Sequence, residues 1–274
     1  MSRFYSLLSS NKSLVMGILN TTPDSFSDGG RFNTVESALT QALEMHRQGA
    51  VIIDVGGEST RPGAEEVSVS DELQRVIPVI ELIRKQSDVC ISIDTSKPEV
   101  MSAAVNAGAD IINDVNGLRA NGALEACASL NVPVCLMHMQ GAPRTMQVNP
   151  HYKNVVDDIK CFFEQRIKSC VDAGIKRNNL ILDPGFGFGK SLEHNLQLLK
   201  NLNEFQSFDL PLLVGLSRKS MLGAILENAP SDQRLYASVA AAVLARTNGA
   251  SLFRVHDVQP TVEALKVCDV MNAV

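Results

Sequence analysis

The sequence predicts an α/β protein, folded as a single (β/α)8 TIM barrel, from three observations: eight short apolar runs, helical patterns between them, and a suitable length. The runs are rich in Val, Ile and Leu and are continuous rather than alternating, which is typical of parallel strands covered on both faces. The chain has 274 residues, so eight units would have about 34 residues each, the size of one βα step. We expect one domain, a catalytic barrel over residues 1–274.

The predicted strands follow one another with a helical pattern after each. They are "LVMGIL", "VIIDV", "VCISI", "ADIIN", "VPVCLM", "LILD", "LPLLVG" and "ASLFRV". Strict alternation predicts eight helices, one of which begins at Ser70, and others end at Gly49, Gly108 and Gly174. A doubly wound sheet usually has five or six strands and carries G-x-G-x-x-G after the first strand, which is missing here.

Composition excludes several classes of protein. The net charge of −5 and the sequence pI of about 5.6 argue against a nucleic-acid surface, which needs clustered Lys and Arg. No apolar run is long enough to span a bilayer, and the start "MSRFYSLLSSNKS" has too short an apolar region for a secretory signal. Six cysteines without a C-x-x-C pair indicate reduced thiols in a cytoplasmic protein, and no Cys/His cluster suggests zinc.

Polar residues stand where the predicted strands end, which is the active-site face of this kind of barrel. The strand ends or the residues after them are Asn20, Asp54, Asp94, Asn113, Met137, His138, Asp183, Arg218, Lys219, Arg254 and His256. A single carboxylate at such a place often caps the next helix, and we interpret Asp114 and Asp257 in that way. For Asp94 and Asp183, taken together, we favour a functional role.

Two loops are longer than most βα connections. One runs from Asn20 to about Asn33, and the other from Gly56 to about Val69. Because they carry Asp28 and the pair Arg61-Pro62 beside the predicted active-site face, we expect mobile lids after strands 1 and 2. The alternative is a pair of tolerated insertions.

Three motifs allow more than one interpretation. "DPGFGFGKS" fails the phosphate-loop pattern because Pro184 stands where its first glycine belongs; the glycines would instead bring the backbone close to a flat ligand, with Phe186 or Phe188 offering a ring. His138 has no metal-ligand partner at suitable spacing, which favours a structural role. Lys219 could form a Schiff base, as strand-end lysines do in aldolases.

Eight motifs occur in order between Leu14 and about Asp257: "MGILNTTPDSFSDGG", "DVGGESTRPGA", "SIDTSKPEV", "IINDVNG", "LMHMQGAPRTMQ", "ILDPGFGFGK", "GLSRKS" and "RVHDV". They resemble the successive motifs of the dihydropteroate synthase family. The resemblance implies a pterin-binding TIM barrel that condenses 6-hydroxymethyl-7,8-dihydropterin pyrophosphate with p-aminobenzoate, giving 7,8-dihydropteroate and pyrophosphate. It also implies folate biosynthesis, competition by sulfonamides, a homodimer and the use of Mg²⁺.

The resemblance also assigns roles to residues. The pterin would contact Asp94, Asn113, Met137, Asp183 and Lys219. The pyrophosphate would contact Asn20, Arg61, Arg254 and His256, with Asn20 also holding Mg²⁺. The p-aminobenzoate would contact Thr60, Pro62, Phe188 and Ser220. Catalysis would use Phe26, Asp28, Arg61 and Lys219, with the first loop closing over the carbon that becomes cationic when pyrophosphate leaves.

The sequence leaves three rival functions open. A pterin-dependent methyl carrier would share the pterin carboxylates but not need the aminobenzoate loops. A Schiff-base aldolase would use Lys219. A binder that has lost catalysis would keep only the fold. The last helix, "PTVEALKVCDVMNAV", has an apolar stripe that packs either on the barrel or on a partner.

Overall fold

The computed structural model describes residues 3–10, 12–21, 31–59, 66–141 and 145–271, with backbone only over 31–34. It contains eight parallel strands: β1 (Leu14–Asn20), β2 (Ile52–Gly56), β3 (Cys90–Asp94), β4 (Ile111–Asp114), β5 (Val134–Met137), β6 (Leu180–Asp183), β7 (Leu213–Val214) and β8 (Leu252–Val255). Each predicted apolar run is therefore a strand.

The strands form one sheet in the order β6-β5-β4-β3-β2-β1-β8-β7. A single parallel bridge between Leu182 and Leu212 joins the two ends of this sheet, and the Leu182 N–H donates to the Pro211 carbonyl at 2.9 Å. The sheet is thus closed into a barrel, which confirms the predicted fold and excludes the doubly wound alternative.

Helices separate the strands along the chain. In the described residues they are α1 (Arg3–Leu8), α2 (Arg31–Arg47), α3 (Val69–Gln86), α4 (Pro98–Ala107), α5 (Ala123–Leu130), α6 (Val155–Asp172), α7 (Leu192–Lys200), α8 (Ser220–Ile225), α9 (Leu235–Thr247) and α10 (Val258–Met271). Strict alternation is therefore wrong in two places: α1 precedes the first strand, and both α8 and α9 lie between β7 and β8.

Helix ends follow local chemistry. The Ser68 hydroxyl accepts the Asp71 N–H at 3.1 Å, so Ser68 is the N-cap of α3 and the predicted start at Ser70 is wrong by two residues. Gly108 closes α4 with φ of +117°, as predicted, because a residue without Cβ adopts this left-handed conformation at little cost.

The lower half of the barrel interior is apolar. Side chains on alternate strand positions point inward, and those nearest the strand starts form one buried cluster: Leu14, Met16, Ile52, Cys90, Ile111, Cys135, Ile181, Leu213 and Leu252. Phe4 of α1 is 1% exposed and belongs to this cluster, so α1 plugs the bottom of the barrel.

Further along the strands, the inward positions become polar. Asp54 and Ser92 are paired across β2 and β3, and Asp94 and Asn113 are paired across β3 and β4. The outward positions pack on the helices and form the main core. The fold therefore places a polar mouth above an apolar floor. None of the helices in the described ranges combines the length and hydropathy needed to cross a membrane.

Candidate active site

The predicted site residues that the structure describes all lie at the carboxyl ends of the strands or directly after them, around one mouth of the barrel. They are Asn20, Asp94, Asn113, Met137, Asp183, Phe188, Lys219, Ser220, Arg254 and His256. Phe26, Asp28, Thr60, Arg61 and Pro62 lie outside the described residues, and so do residues 22–30 of the first predicted lid and residues 60–65 of the second.

Arg254 connects two carboxylates inside the mouth. Its Nε donates to Asp54 Oδ2 at 2.6 Å, and its Nη2 donates to Asp94 Oδ2 at 2.6 Å. Burial raises the pKa of Asp94, against the opposing effect of the Arg254 charge. The guanidinium thus fixes the side chains of two strands relative to β8.

Asp54 is the site residue for which sequence reasoning proposed no role. It is fully buried, and its Oδ2 also accepts a hydrogen bond from Asn113 Nδ2 at 3.2 Å. Its Oδ1 and the Ser92 hydroxyl find no hydrogen-bond partner among the residues that the structure describes. The signal was available in the sequence: Asp54 stands at an inward position of an otherwise apolar strand.

Asp183 ends β6 and is 5% exposed. Its Oδ1 accepts the Gly185 N–H at 2.8 Å, and across the sheet its register partner is Met137. Burial raises the Asp183 pKa to about 6, while that backbone hydrogen bond and the charges of Lys219, Lys190 and Arg254 oppose the rise. Asp183 and Asp94 therefore both interact with the charges of Arg254 and Lys219.

Lys219 follows β7, and its amino group lies over the Phe188 ring, 4.2 Å from the ring centroid. Burial lowers the Lys219 pKa to about 8, with the Asp183 charge acting in the opposite direction. The ring face stabilises the ammonium form. Phe186, by contrast, is 1% exposed and packs in the main core, so Phe188 is the ring at the site.

The neighbouring Arg218 does not share this position. It adopts a left-handed backbone conformation, with φ of +57°, and makes a bidentate ion pair with Asp257 at 2.9 and 2.6 Å. The expectation that the Asp257 side chain caps a helix is therefore wrong, because the arginine occupies its carboxylate.

Asp114 also has another role than helix capping. Its carboxylate accepts the backbone N–H groups of Asn116 and Leu118 at 2.8 and 2.7 Å and the Ser96 hydroxyl at 2.5 Å. These groups belong to the loops after β3 and β4, well before α5 begins. Asp114 is a structural residue that joins two loops below the rim.

His256 is held by Ser217, a residue that sequence reasoning missed. The Ser217 hydroxyl accepts the His256 backbone N–H at 3.2 Å and lies 3.1 Å from Nδ1 of the same residue. A small polar residue two positions before Lys219 gives no clear signal in the sequence. The serine fixes the histidine ring beside the end of β8.

His138 is structural, as its sequence context predicted. It is 7% exposed, and its Nδ1 lies 3.0 Å from Lys190 Nζ. Burial and the nearby Lys190 and Arg119 charges lower its pKa to about 2, so the imidazole is neutral at physiological pH. Lys190 itself is turned toward its own loop rather than outward, which agrees with the rejection of a phosphate-loop function for this segment.

The candidate metal ligand that the structure describes at the mouth is an amide oxygen. Among the described residues there is no group of three or more His, Cys, Asp or Glu side chains that could hold an ion. Asn20 ends β1 half-buried at the rim, and its amide oxygen is a suitable donor for a hard cation that obtains its other ligands from phosphate and water.

Comparison with known proteins identifies the family. The model of the pterin binding enzyme family matches residues 16–256. Dihydropteroate synthase of Haemophilus influenzae is 56% identical over 253 residues, which is 92% of each chain. The chain belongs to the dihydropteroate synthases.

Solved structures of dihydropteroate synthases have the same fold. The Yersinia pestis enzyme in complex with a sulfonamide drug gives a TM-score of 0.92 at 54% identity and covers 96% of both chains. The Xanthomonas albilineans enzyme with 4-aminobenzoic acid gives 0.91 at 51% identity, over 96% of this chain and 94% of that one. The chain is accordingly a transferase, and its identity to dihydropteroate synthases over most of its length decides against the methyl carrier, the aldolase and the non-catalytic binder.

Proposed function

We propose that this dihydropteroate synthase condenses 6-hydroxymethyl-7,8-dihydropterin pyrophosphate with p-aminobenzoate, and that sulfonamides compete for the aminobenzoate position. The observation that carries the assignment of residues is the convergence of two buried carboxylates, one amide and two cations on one mouth of the barrel. A sulfonamide occupies the Yersinia relative and 4-aminobenzoic acid the Xanthomonas relative, which supports the same ligands here.

Pterin recognition is assigned to Asp94, Asn113, Asp183 and Lys219, with Met137 against the ring. The amino-pyrimidine edge of a pterin offers adjacent N–H donors, which ionised carboxylates accept well. Lys219 supplies a donor for the carbonyl or ring nitrogen. Met137 is 3% exposed and packs in a cluster with Met139, Met146 and Phe188, so it offers an apolar surface to a flat heterocycle.

The diphosphate is assigned to Arg254, His256 and Asn20. A guanidinium has five N–H donors, and the two carboxylates accept from two of them. Arg254 therefore still has N–H groups that can donate to an anion. Arg254 would then join the pterin carboxylates to the leaving group. The resemblance adds Arg61 to this set.

The reaction then follows as a dissociative substitution. The bond between the pterin methylene carbon and the diphosphate oxygen breaks with both electrons going to the oxygen. The resulting cation is delocalised into the pterin ring and stabilised by the fixed Asp94 and Asp183 carboxylates. The p-aminobenzoate nitrogen donates its lone pair to the methylene carbon and loses a proton, which leaves dihydropteroate and pyrophosphate.

The aminobenzoate position is assigned to Phe188 and Ser220, with Thr60 and Pro62 by resemblance. Phe188 packs beside Met137 and beneath Lys219, so its ring lies next to the proposed pterin site. Phe26 and Asp28 are assigned by resemblance to a cover that keeps water from the cation, which would otherwise be consumed unproductively.

Mg²⁺ is the proposed cofactor, held by Asn20 together with the substrate. One or two protein oxygens plus phosphate oxygens are the usual ligands of this ion, so the single amide at the end of β1 fits. When bound, the ion neutralises charge on the leaving diphosphate.

We further propose a homodimer in the cytoplasm. Large apolar side chains are exposed at the end of α8 and on α9 and α10: Ile225, Leu226 directly after α8, Tyr236, Leu244, Val267, Val270 and Met271. A surface of this kind suits contact with a second copy. All six cysteines are free thiols, which suits a reducing compartment.

The test is an assay of pyrophosphate release from synthetic pterin pyrophosphate, with and without p-aminobenzoate and Mg²⁺. We expect dihydropteroate and pyrophosphate in equal amounts only when both substrates are present. Absence of dihydropteroate when both substrates and Mg²⁺ are present would contradict the proposal. Light scattering at micromolar concentration tests the dimer.

A further inference from the structure

Lys190 is a buried basic residue that the proposed reaction does not use. Burial lowers its pKa to about 7, while the Asp183 charge favours the ammonium form. The residue is 3% exposed, and it follows the glycine-rich segment after β6. Its ammonium group donates to the Gly185 carbonyl at 2.8 Å and to the Phe188 carbonyl at 3.0 Å, and it lies 3.0 Å from His138 Nδ1. These three acceptors match the three N–H donors of an ammonium group.

The neutral state of His138 fits this arrangement. A neutral imidazole has one acceptor nitrogen, and the ammonium group faces Nδ1, so the ring proton belongs on Nε2. The low pKa of His138 has the same origin, because burial and the adjacent ammonium charge both disfavour the imidazolium. Lys190 is therefore held by neutral groups, and in the described part of the chain it has no ion pair with a carboxylate.

Residues 184–190, the segment that ends with Lys190, pack closely against their surroundings. Gly185, Gly187 and Gly189 all have positive φ, and a side chain at position 185 would collide with the His138 carbonyl oxygen. The Asn195 amide oxygen accepts the Gly187 N–H at 2.8 Å, and the Tyr152 hydroxyl donates to the Gly189 carbonyl at 2.8 Å. The segment thus has one defined conformation.

Two functional contacts arise from this conformation. The Gly185 N–H points at Asp183 Oδ1, 2.8 Å away, and the Phe188 ring lies beneath the Lys219 ammonium. Lys190 binds the carbonyl groups of these same two residues, Gly185 and Phe188. The Lys190 side chain is therefore hydrogen-bonded to Gly185, which orients Asp183, and to Phe188, whose ring contacts Lys219.

We propose that Lys190 is a positioning residue for the pterin site, which acts from behind the segment 184–190 by holding Gly185 against Asp183 and Phe188 under Lys219. That Asp183 and Lys219 bind the pterin rests on the proposed function. The contacts of Lys190 with Gly185 and Phe188 do not depend on it. Its positive charge adds to the effect, since it favours the ionised form of Asp183. Lys190 does not contact the reacting atoms.

The first measurement uses the pterin-free protein. We compare the Gly185 amide resonance in ¹H–¹⁵N spectra of wild type, Lys190→Met and Lys190→Gln. A hydrogen bond to a carboxylate moves an amide proton downfield, so we expect an upfield shift in Lys190→Met and a smaller one in Lys190→Gln, which keeps two N–H donors. An unchanged resonance in a folded Lys190→Met protein overturns the proposal. If Lys190→Met does not fold, Lys190→Gln decides by the same criterion.

The second measurement is pterin pyrophosphate affinity by calorimetry. We expect about tenfold weaker binding in Lys190→Met, the loss expected for one misplaced charge-assisted hydrogen bond, and a smaller loss in Lys190→Gln. Lys168→Met is the control, because Lys168 is 75% exposed and pairs only with Asp172 on α6; its affinity should equal wild type. Wild-type affinity in Lys190→Met contradicts a positioning role.

The two measurements separate the two hypotheses. Absence of pterin binding by the wild-type protein contradicts the proposed function but leaves the amide resonance as a valid test of Lys190. An amide shift without an affinity loss shows that Lys190 shapes the segment only, and rejects its role in pterin binding.

Discussion

Arg254 donates to Asp94 within the barrel at 2.6 Å, and through a second N–H it holds Asp54 at the same distance. The pair joins β8 to β3 across β1 and β2 in the order of the sheet. A residue assigned to the leaving group and a residue assigned to the pterin are thus in direct contact before any substrate binds.

Replacement of Arg254 should therefore affect folding as well as function. Arg254→Met leaves two carboxylates in the barrel without their cation, and removal of one partner from a buried ion pair costs about 3–5 kcal/mol. We expect a loss of that size in the free energy of unfolding, measured with urea. The matched control is Lys168→Met, whose exposed ion pair should leave stability unchanged; an equally stable Arg254→Met protein would show that the pair contributes nothing.

Asp183→Asn should weaken pterin binding. The substitution keeps the shape of the side chain but removes a charged acceptor, which is worth about 1.5–3 kcal/mol, or roughly ten- to hundredfold in affinity. Calorimetry with pterin pyrophosphate measures the change. Asp209→Asn, in the turn before β7, is a control that should bind like wild type. Wild-type affinity in Asp183→Asn would remove Asp183 from the pterin site.

Pterin affinity should pass through a maximum between pH 6 and pH 8. Protonation of Asp183 below its pKa of about 6 removes the charged acceptor, and deprotonation of Lys219 above its pKa of about 8 removes the ammonium. Calorimetric titrations at several pH values measure the profile. Asp94, whose pKa burial also raises, contributes to the same acidic limb, so the Asp183→Asn variant should lose the part that comes from Asp183 and keep the alkaline limb. An acidic limb of unchanged size in this variant would refute the assignment.

The stability of the unliganded protein should decline as pH rises through the range in which pterin affinity increases. The folded-state pKa of Asp183 is raised above the value of about 3.9 expected in the unfolded chain, so the proton is bound more tightly in the folded state. Its contribution is full below the unfolded value and is lost as pH rises through about 6. Urea unfolding between pH 4 and pH 7 should therefore show a smaller decline in Asp183→Asn than in wild type. Equal slopes would contradict the raised pKa.

Phe4→Ala should destabilise the protein without changing the site. The ring is 1% exposed and fills the bottom of the barrel, so its loss leaves a cavity that costs about 3–5 kcal/mol. Urea unfolding measures the loss. Phe4→Leu, which retains most of the volume, should lose much less, and pterin affinity measured below the unfolding transition should equal wild type in both. Weakened affinity in Phe4→Ala would show that the floor and the mouth are coupled.

Much of this architecture follows from patterns in the chain. Continuous apolar runs predicted all eight strands because both faces of such strands are covered, and the residue at each strand end predicted which side chains share the mouth. Asp54 received no role because its contact with Arg254 depends on the pairing of β1 with both β2 and β8, which brings residues 200 positions apart together. The extra helix α1 was missed because a helix of 6 residues is too short to show a helical period, and its packing partner is the barrel floor rather than a neighbouring helix.

The contacts of single side chains were the least predictable. Asp257 looks like a helix cap in sequence, yet Arg218 binds it because the chain turns sharply at Arg218. Lys190 looks like a phosphate lysine, yet the backbone of its own segment curls around it. In both cases the conformation of a short loop decides the partner, and composition does not encode that conformation.

The joint between β6 and β7 has a consequence for the kinetics of substrate exchange. A single bridge, which includes the hydrogen bond from the Leu182 N–H to the Pro211 carbonyl, closes the ring there, whereas the strand pairs from β8 through β1 to β6 share ladders of three to five residue pairs. Asp183 and Lys219 lie on either side of this joint, so a pterin that binds both residues would connect β6 to the loop after β7 and stabilise the joint. Amide protons of residues 212–214 should then exchange with deuterium faster than those of β2 or β3 in the empty protein, and slow selectively when the heterocycle is bound.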